Sequence, residues 1–289
     1  MLAKGLTMTI VFEAESANYG EGIGNVATLK KLSRGNGNQY TYISRQAIRY
    51  NIVDQLGEEK ASVEASGKSK KVIQFSSDST ILDYPELDFF GYMKTKDEKM
   101  ATRRSAIVRL SNAISTENFK GDLDFLTNIG LANRINEFPN IAQAEIHKSY
   151  YVYTLAIDLD QIGIDKNYDI ELPKEEKTRR IEKLLDTIAF LYRDIRGRRE
   201  NLSPLFIIGG VYDVKNPIFE NLVKVKNNKI LVEDIISGIF ENMKKDTMCG
   251  VVDGKFDNTS EIKNNLNALT IPKFFENLKE KVRDYYESN

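Results

Sequence analysis

The sequence predicts an α+β fold with a βαββαβ core, and three observations carry that reading. Residues 6–13 ("LTMTIVFE") and 148–160 ("KSYYVYTLAIDLD") alternate with the period of half-buried strands. Residues 44–57 and 173–199 carry apolar side chains at helical spacing between start and stop signals. Two further apolar runs, 103–110 and 203–212, complete the strand–helix–strand–strand–helix–strand order of a ferredoxin-like or RNA-recognition-like sheet.

The first strand sets Leu6, Met8, Ile10 and Phe12 against Thr7, Thr9, Val11 and Glu13. In "SRQAIRYNIVDQLG", Ser44 is the expected cap, Ala47, Ile48, Ile52 and Leu56 form the apolar side, and Gly57 ends the helix. Arg45 and Arg49, four apart, share a face. Residues 58–95 loosen into a Ser-, Lys- and Asp-rich insertion with a short strand at Val72 to Phe75. "RRSAIVRL" (103–110) reads as one strand, followed by a second irregular stretch to about Glu145. In the next strand Tyr151, Tyr153, Leu155, Ile157 and Leu159 share one face. The long helix places Pro173 in its first turn and Glu175 and Glu176 at its positive end, with Arg193, Arg196, Arg198 and Arg199 crowding its far end. "SPLFIIGGVY" is a buried strand, and in the tail "DIISGIFENMKK" and "PKFFENLKEKVRDYYES" read as helices. The whole is expected to be one elaborated domain spanning residues 1–289.

Composition narrows the function. A 41% apolar content supports a buried core, and a net charge of −1 excludes a uniformly basic nucleic-acid coat, so any anion-binding surface must be local. The single cysteine, Cys249, excludes a disulfide framework within the chain and fits a reducing compartment. The amino terminus lacks the apolar core of a signal peptide and no apolar run reaches membrane-spanning length, so a cytoplasmic protein with no membrane contact is expected.

Several motifs fail on inspection. Gly20, Gly22 and Gly24 suggest a dinucleotide loop, but the third glycine of G-x-G-x-x-G falls on Asn25. "SVEASGKS" ends like a phosphate loop at Gly67, Lys68 and Ser69, yet Ser62 stands where the leading glycine belongs. The only histidine, His147, reads as a hydrogen-bonded residue at the start of a strand or as a nucleotide contact. One histidine and one cysteine do not build the usual zinc or nucleophile sites. Asp158 and Asp160, two apart at a strand end, would point to one face and could share Mg²⁺, as could the acids of "GDLD" (121–124). No cofactor is expected.

One segment survives. Residues 20–53 carry Lys30, Lys31, Arg34, Arg45 and Arg49, with no acidic residue between Glu21 and Asp54. Glycines at 20, 22, 24, 35 and 37 let backbone approach a ligand, and asparagines at 18, 25, 36 and 38 can meet base edges or sugar hydroxyls. Charge spread over so many residues suits a single-stranded nucleic acid better than a small phosphate.

The block "LTMTIVFEAESANYGEGIGNVATLKKLSRGNGNQYTYISRQAIRYNI" resembles the amino-terminal signature of the DevR-type Cascade backbone subunits of type I-B CRISPR systems. The resemblance continues, less specifically, through "GYM" (91–93), "TRRSAIVRLSNAIS" (102–115), "EIHKSYYVYTLAIDLDQIG" (145–163) and "GGVY" (209–212). It implies a modified RNA-recognition palm, with fingers at about residues 57–100 and a thumb at about 111–145. It also implies copies packed head to tail along a CRISPR guide RNA, which pairs with target DNA, beside other Cascade subunits and a recruited helicase-nuclease. The expected RNA-binding residues are Asn18, Asn25, Lys30, Lys31, Arg34, Arg45, Gln46, Arg49, Arg103, Arg104 and His147. The RNP1 consensus is lacking, so Tyr151 and Tyr153 are assigned to the core. RNA-cleaving relatives in the superfamily use an aspartate after the first strand, whereas none precedes Asp54 here, so no enzyme activity is expected. Two rivals stand beside this reading: a metal-dependent ribonuclease using Glu21 or Asp158 and Asp160, and a regulatory DNA-binding protein.

Overall fold

The computed structural model describes residues 4–15, 17–20, 22, 24–35, 37–66, 72–97 and 100–289. Glu21, Asn36, Gly67, Lys68 and Ser69, singled out above, lie outside the described residues.

The chain begins with β1 (Gly5–Ala14), whose Leu6, Met8, Ile10 and Phe12 are buried as expected, but Thr7, Thr9 and Val11 are buried as well, so the strand is not half-buried as its alternation predicts. Two strands not read from the sequence follow, β2 (Lys31–Ser33) and β3 (Gln39–Ile43), and then α1 (Arg45–Gln55). Ser44 caps α1 by accepting from Ala47 N–H, and Gly57 follows its end at φ 66°.

The first insertion is more regular than its composition suggested. It holds β4 (Val63–Ser66) paired with β5 (Val72–Phe75), then α2 (Pro85–Phe90), then β6 (Tyr92–Asp97) paired with β7 (Met100–Arg104). Ala61, Ile81, Leu87 and Tyr92 give it a small core of its own. The single strand expected at 103–110 is therefore two: Arg103 and Arg104 close the β6–β7 hairpin, and only β8 (Val108–Leu110) reaches the main sheet.

β9 (Ala113–Ser115) precedes the second insertion, which is β10 (Asp122–Thr127), α3 (Ile129–Ile135) and β11 (Ile141–Ile146). Leu123, Phe125, Leu131, Ile135 and Phe138 are exposed along it. β12 (Ser149–Asp158) buries Tyr151, Tyr153, Leu155 and Ile157, so both tyrosines belong to the core as expected.

The long helix, α4 (Lys174–Ala189), stops well before residue 199. Residues 192–201 form a hairpin instead, β13 (Tyr192–Ile195) paired with β14 (Arg198–Asn201). Its turn residues Arg196 and Gly197 have φ of 49° and 76°, left-handed geometry that no helix continues through. β15 (Phe206–Tyr212), α5 (Val232–Gly238), β16 (Thr247–Val251), α6 (Thr259–Leu266) and α7 (Ile271–Ser288) complete the fold. The helix expected at "DIISGIFENMKK" is two short ones, since Ile239 is extended between them.

The main sheet runs β16-β15-β1-β12-β9-β3-β2, with β8 also on β12. Its neighbours are antiparallel. A Cβ at Gly209 would overlap Thr7 O and Met8 Cα, so β15 can lie this close to β1 only with glycine there. α1, α4 and α7 cover one face, where Leu6, Ile10, Ile52, Leu184, Tyr153 and Leu278 share the principal core. On the other face Val11, Phe206, Ile208 and Cys249 pack against Phe219, Ile235 and Ile262.

Candidate nucleic-acid interface

The basic segment folds around residues 18–20. Asn18 Oδ1 accepts from Ser44 N–H at 2.5 Å, and Asn18 O accepts from Lys30 N–H at 2.7 Å. Gly20 N–H donates to Thr28 O at 2.7 Å, which closes a loop whose Gly24 sits at φ 60°. Asn25 is exposed at its tip, and its carbonyl accepts from Gln143 N–H of β11 at 3.3 Å.

Glu145 joins this loop to the second insertion. Its carboxylate takes Leu29 N–H at 2.7 Å and the Lys31 ammonium at 2.6 Å, while its carbonyl accepts from the Tyr19 hydroxyl at 3.1 Å. Val26–Ala27 pairs in parallel with β11 alongside. Lys31 also lies 4.4 Å from the Phe119 ring centroid, so its charge is committed inside the protein.

The other predicted residues divide sharply. Lys30, Arg45 and Gln46 are exposed, and no carboxylate meets them among the described residues. α1 has no acid in its first turn, so the positive end of its dipole adds to Arg45 rather than being neutralised. Arg34 is exposed and stacks on Tyr40 at 4.6 Å. With Tyr40, Asn112, Thr154, Lys224 and Lys226 it lines a groove of about 480 Å³ between the sheet and the segment 220–231. Arg103 is exposed and lies in the β6–β7 hairpin, paired with Met93. Arg49 is half-buried against the Phe90 ring at 4.7 Å, and burial lowers its pKa.

Arg104 and His147, both expected among the RNA contacts, have buried side chains, and His147 is the hydrogen-bonded residue before a strand that its other reading described. Arg104 donates to Asp88 Oδ1 at 2.6 Å and to the carbonyls of Leu87, Asp88, Gln161 and Ile164. Asp88, fully buried, also takes Arg180 at 3.1 Å and Gly163 N–H at 3.0 Å. His147 is buried with Nδ1 2.8 Å from Thr41 Oγ1, which is itself 2.8 Å from the Tyr151 hydroxyl, and Phe119 packs edge-on to its ring. Burial lowers its pKa.

Asp158 and Asp160 do not share a face as an unbroken strand would require. β12 ends at Asp158, and Asp160 lies in the short turn Leu159–Gln161. Each has its own cation, Arg109 at 2.9 Å and Lys215 at 2.5 Å. Burial pushes Asp160 up, but the bonds from Lys215 and Gln161 outweigh it and hold the carboxyl below its ordinary value. No group of three metal-ligating side chains occurs among the described residues. Nor is any described helix long and apolar enough to cross a membrane.

Sequence reasoning named the arginines of β13 and β14 but placed them at the end of α4, where the structure has a hairpin. It missed Lys224 and Lys226, which only the tertiary fold brings to the groove.

Fold and site together define a mixed α+β protein with an antiparallel main sheet and exposed cations around a glycine-rich loop. Residues 6–234 match the model of the CRISPR-associated negative auto-regulator DevR/Csa2 family, and the chain belongs to that family. Among solved structures it is similar to a chain of a CRISPR RNA-guided surveillance complex, pre-nicking, with TM-score 0.60 and 10% identity over 96% of this chain and 100% of that one. A chain of a second CRISPR RNA-guided surveillance complex gives TM-score 0.55 and 12% identity over 94% and 99%. At such identities the likeness is one of fold. No curated protein matches the chain.

Proposed function

We propose that this chain is a non-catalytic, guide-RNA-binding backbone subunit of a type I-B CRISPR interference complex. The observation that carries the reading is the set of exposed cations, Lys30 and Arg45 above all, that meet no carboxylate among the described residues and flank a glycine-rich loop. Unneutralised charge beside accessible backbone suits a phosphodiester chain, whereas sequence reading is left to base pairing between guide and target DNA. Family membership supports the CRISPR role.

The strands β15, β1, β12 and β8/β9 stand in the spatial order four-one-three-two of a βαββαβ sheet, which supports the RNA-recognition-like palm. The insertions at about 57–100 and 111–145 then serve as fingers and thumb, and copies pack head to tail along the guide in the cytoplasm. Head-to-tail contacts use two different surfaces and extend as a filament rather than closing. Other Cascade subunits and a helicase-nuclease would join this assembly, and target cutting would belong to that nuclease. The separate pairing of Asp158 and Asp160 favours binding over metal-dependent cleavage.

The test is to purify the protein from its host and sequence the nucleic acid that accompanies it. Repeat-spacer RNA is expected. Absence of bound RNA, preference for duplex DNA in competition, or Mg²⁺-dependent cleavage lost in Asp158→Ala would each overturn the reading.

A further inference from the structure

Four arginines decorate the β13–β14 hairpin, and three are neutralised. Arg193 lies 2.6 Å from Glu200, Arg199 grips Asp194 through two bonds of 2.8 and 2.9 Å, and Arg198 pairs with Glu15. Glu200 also accepts Glu15 N–H at 2.7 Å, so the hairpin is clamped to the segment that leads into the glycine-rich loop. Arg196 is the exception. It is exposed at the tip, no carboxylate meets it among the described residues, and its guanidinium lies 4.7 Å from the Tyr19 ring centroid.

Two features say that this arrangement is more than a decorated turn. The first central position of such a tight hairpin turn favours Asn, Asp or Gly, yet a long cationic side chain is held there at φ 49°. The second is where the cation is placed. Tyr19 adjoins Gly20, and a Cβ at Gly20 would stand 3.7 Å from Lys30 Cγ, so Lys30 and Arg196 flank the same two residues. Arg45 belongs to the same hydrogen-bonded framework, since its helix begins next to the Ser44 N–H held by Asn18, the chain neighbour of Tyr19.

We infer that the Arg196–Gly197 tip is a further contact of the single-stranded RNA held by the glycine-rich loop, with the Arg196 guanidinium on a phosphate and the Tyr19 ring as its fixed support. This inference rests on the RNA-binding reading above. A planar guanidinium braced on an aromatic ring keeps its remaining N–H groups aimed outward, which reduces the ordering cost of gripping a phosphate oxygen.

Binding of mixed-sequence single-stranded RNA is measured by fluorescence anisotropy across a salt series. The proteins are wild type, Arg196→Asn, and the double variant Lys30→Ala/Arg45→Ala. Asn favours the left-handed turn, so Arg196→Asn should melt no lower than wild type. Its affinity should nonetheless fall about fourfold near physiological salt, and its log–log salt slope should flatten by about 0.7. RNA crosslinked by ultraviolet light to the wild-type protein supplies a readout that needs no variant. Crosslinked nucleotides are expected on both the Tyr19 and the Arg196 peptides. Wild-type affinity and slope in Arg196→Asn, or crosslinks confined to the loop, would overturn the hairpin contact while the double variant's loss left the loop site standing. Failure of the wild type to bind RNA would overturn both.

Discussion

Arg104 and Arg45 carry the same guanidinium and face opposite fates. Arg104 is sealed with Arg180 around Asp88, while Arg45 stands in solvent and meets no carboxylate among the described residues. One cluster spends its charge on holding the insertion to α4; the other keeps its charge for something outside the chain. Residue type does not separate the two cases. The carboxylate that the fold brings to meet an arginine does.

The largest expected effect breaks the buried side of that contrast. Asp88→Ala leaves the Arg104 guanidinium, 6% exposed, without its counter-charge, and takes from Arg180, 2% exposed, one of its two, Glu176 remaining at 2.7 Å. Removing one partner of a buried pair costs about 3–5 kcal/mol, so chemical denaturation should reveal a severely destabilised protein. A loss below about 1 kcal/mol would mean that the cluster is not what fixes the insertion.

On the exposed side, Lys30→Ala/Arg45→Ala should change stability by no more than about 0.5 kcal/mol. RNA affinity should drop on the order of tenfold near physiological salt, with a salt slope flatter by about 1.4. Unchanged binding at every salt concentration would erase the distinction drawn here.

Arg49 sharpens it, because it lies one turn from Arg45 yet rests on Phe90. Arg49→Ala should cost about 1 kcal/mol of stability through the lost stack and leave RNA affinity at the wild-type value. Reduced binding without destabilisation would move Arg49 to the other group.

The smallest effect concerns His147, an interior residue kept neutral. Burial lowers its folded pKa beneath the ordinary 6.5, so the unfolded chain takes up the proton first as pH falls. Its contribution is intact above about pH 6.5 and is lost as pH falls through the lower folded value. Stability of His147→Asn measured across that interval should fall less steeply than that of the wild type, and an identical slope would refute the assignment.

The sequence disclosed what local pattern governs. β12 announced itself by alternation and α1 by Ser44 and Gly57, because each turns one face to the principal core, while β1 kept its alternation of Leu6, Met8, Ile10 and Phe12 although its other face is buried too. The segment 192–199 misled because Leu191 and Ile195 keep helical spacing while Arg196 and Gly197 turn the chain over. Arg104 could not be recognised as internal, since its partner Asp88 and their companion Arg180 stand 92 residues apart and meet only in the folded protein. Residues 122–146 were opaque for another reason: their strands leave Leu123, Phe125 and Ile141 exposed, so no buried face imprints a period on the sequence.

The staple at Glu145 has a mechanical consequence. One side chain and its own carbonyl grip Leu29, Lys31 and Tyr19, and the parallel pairing of Val26–Ala27 with β11 lies alongside. The projection that ends near Phe138 is thus a lever whose fulcrum is the glycine loop itself. Its anchorage to the loop runs through Tyr19, Leu29 and Lys31, so a displacement of the arm relative to the sheet must break these bonds or carry the loop with it.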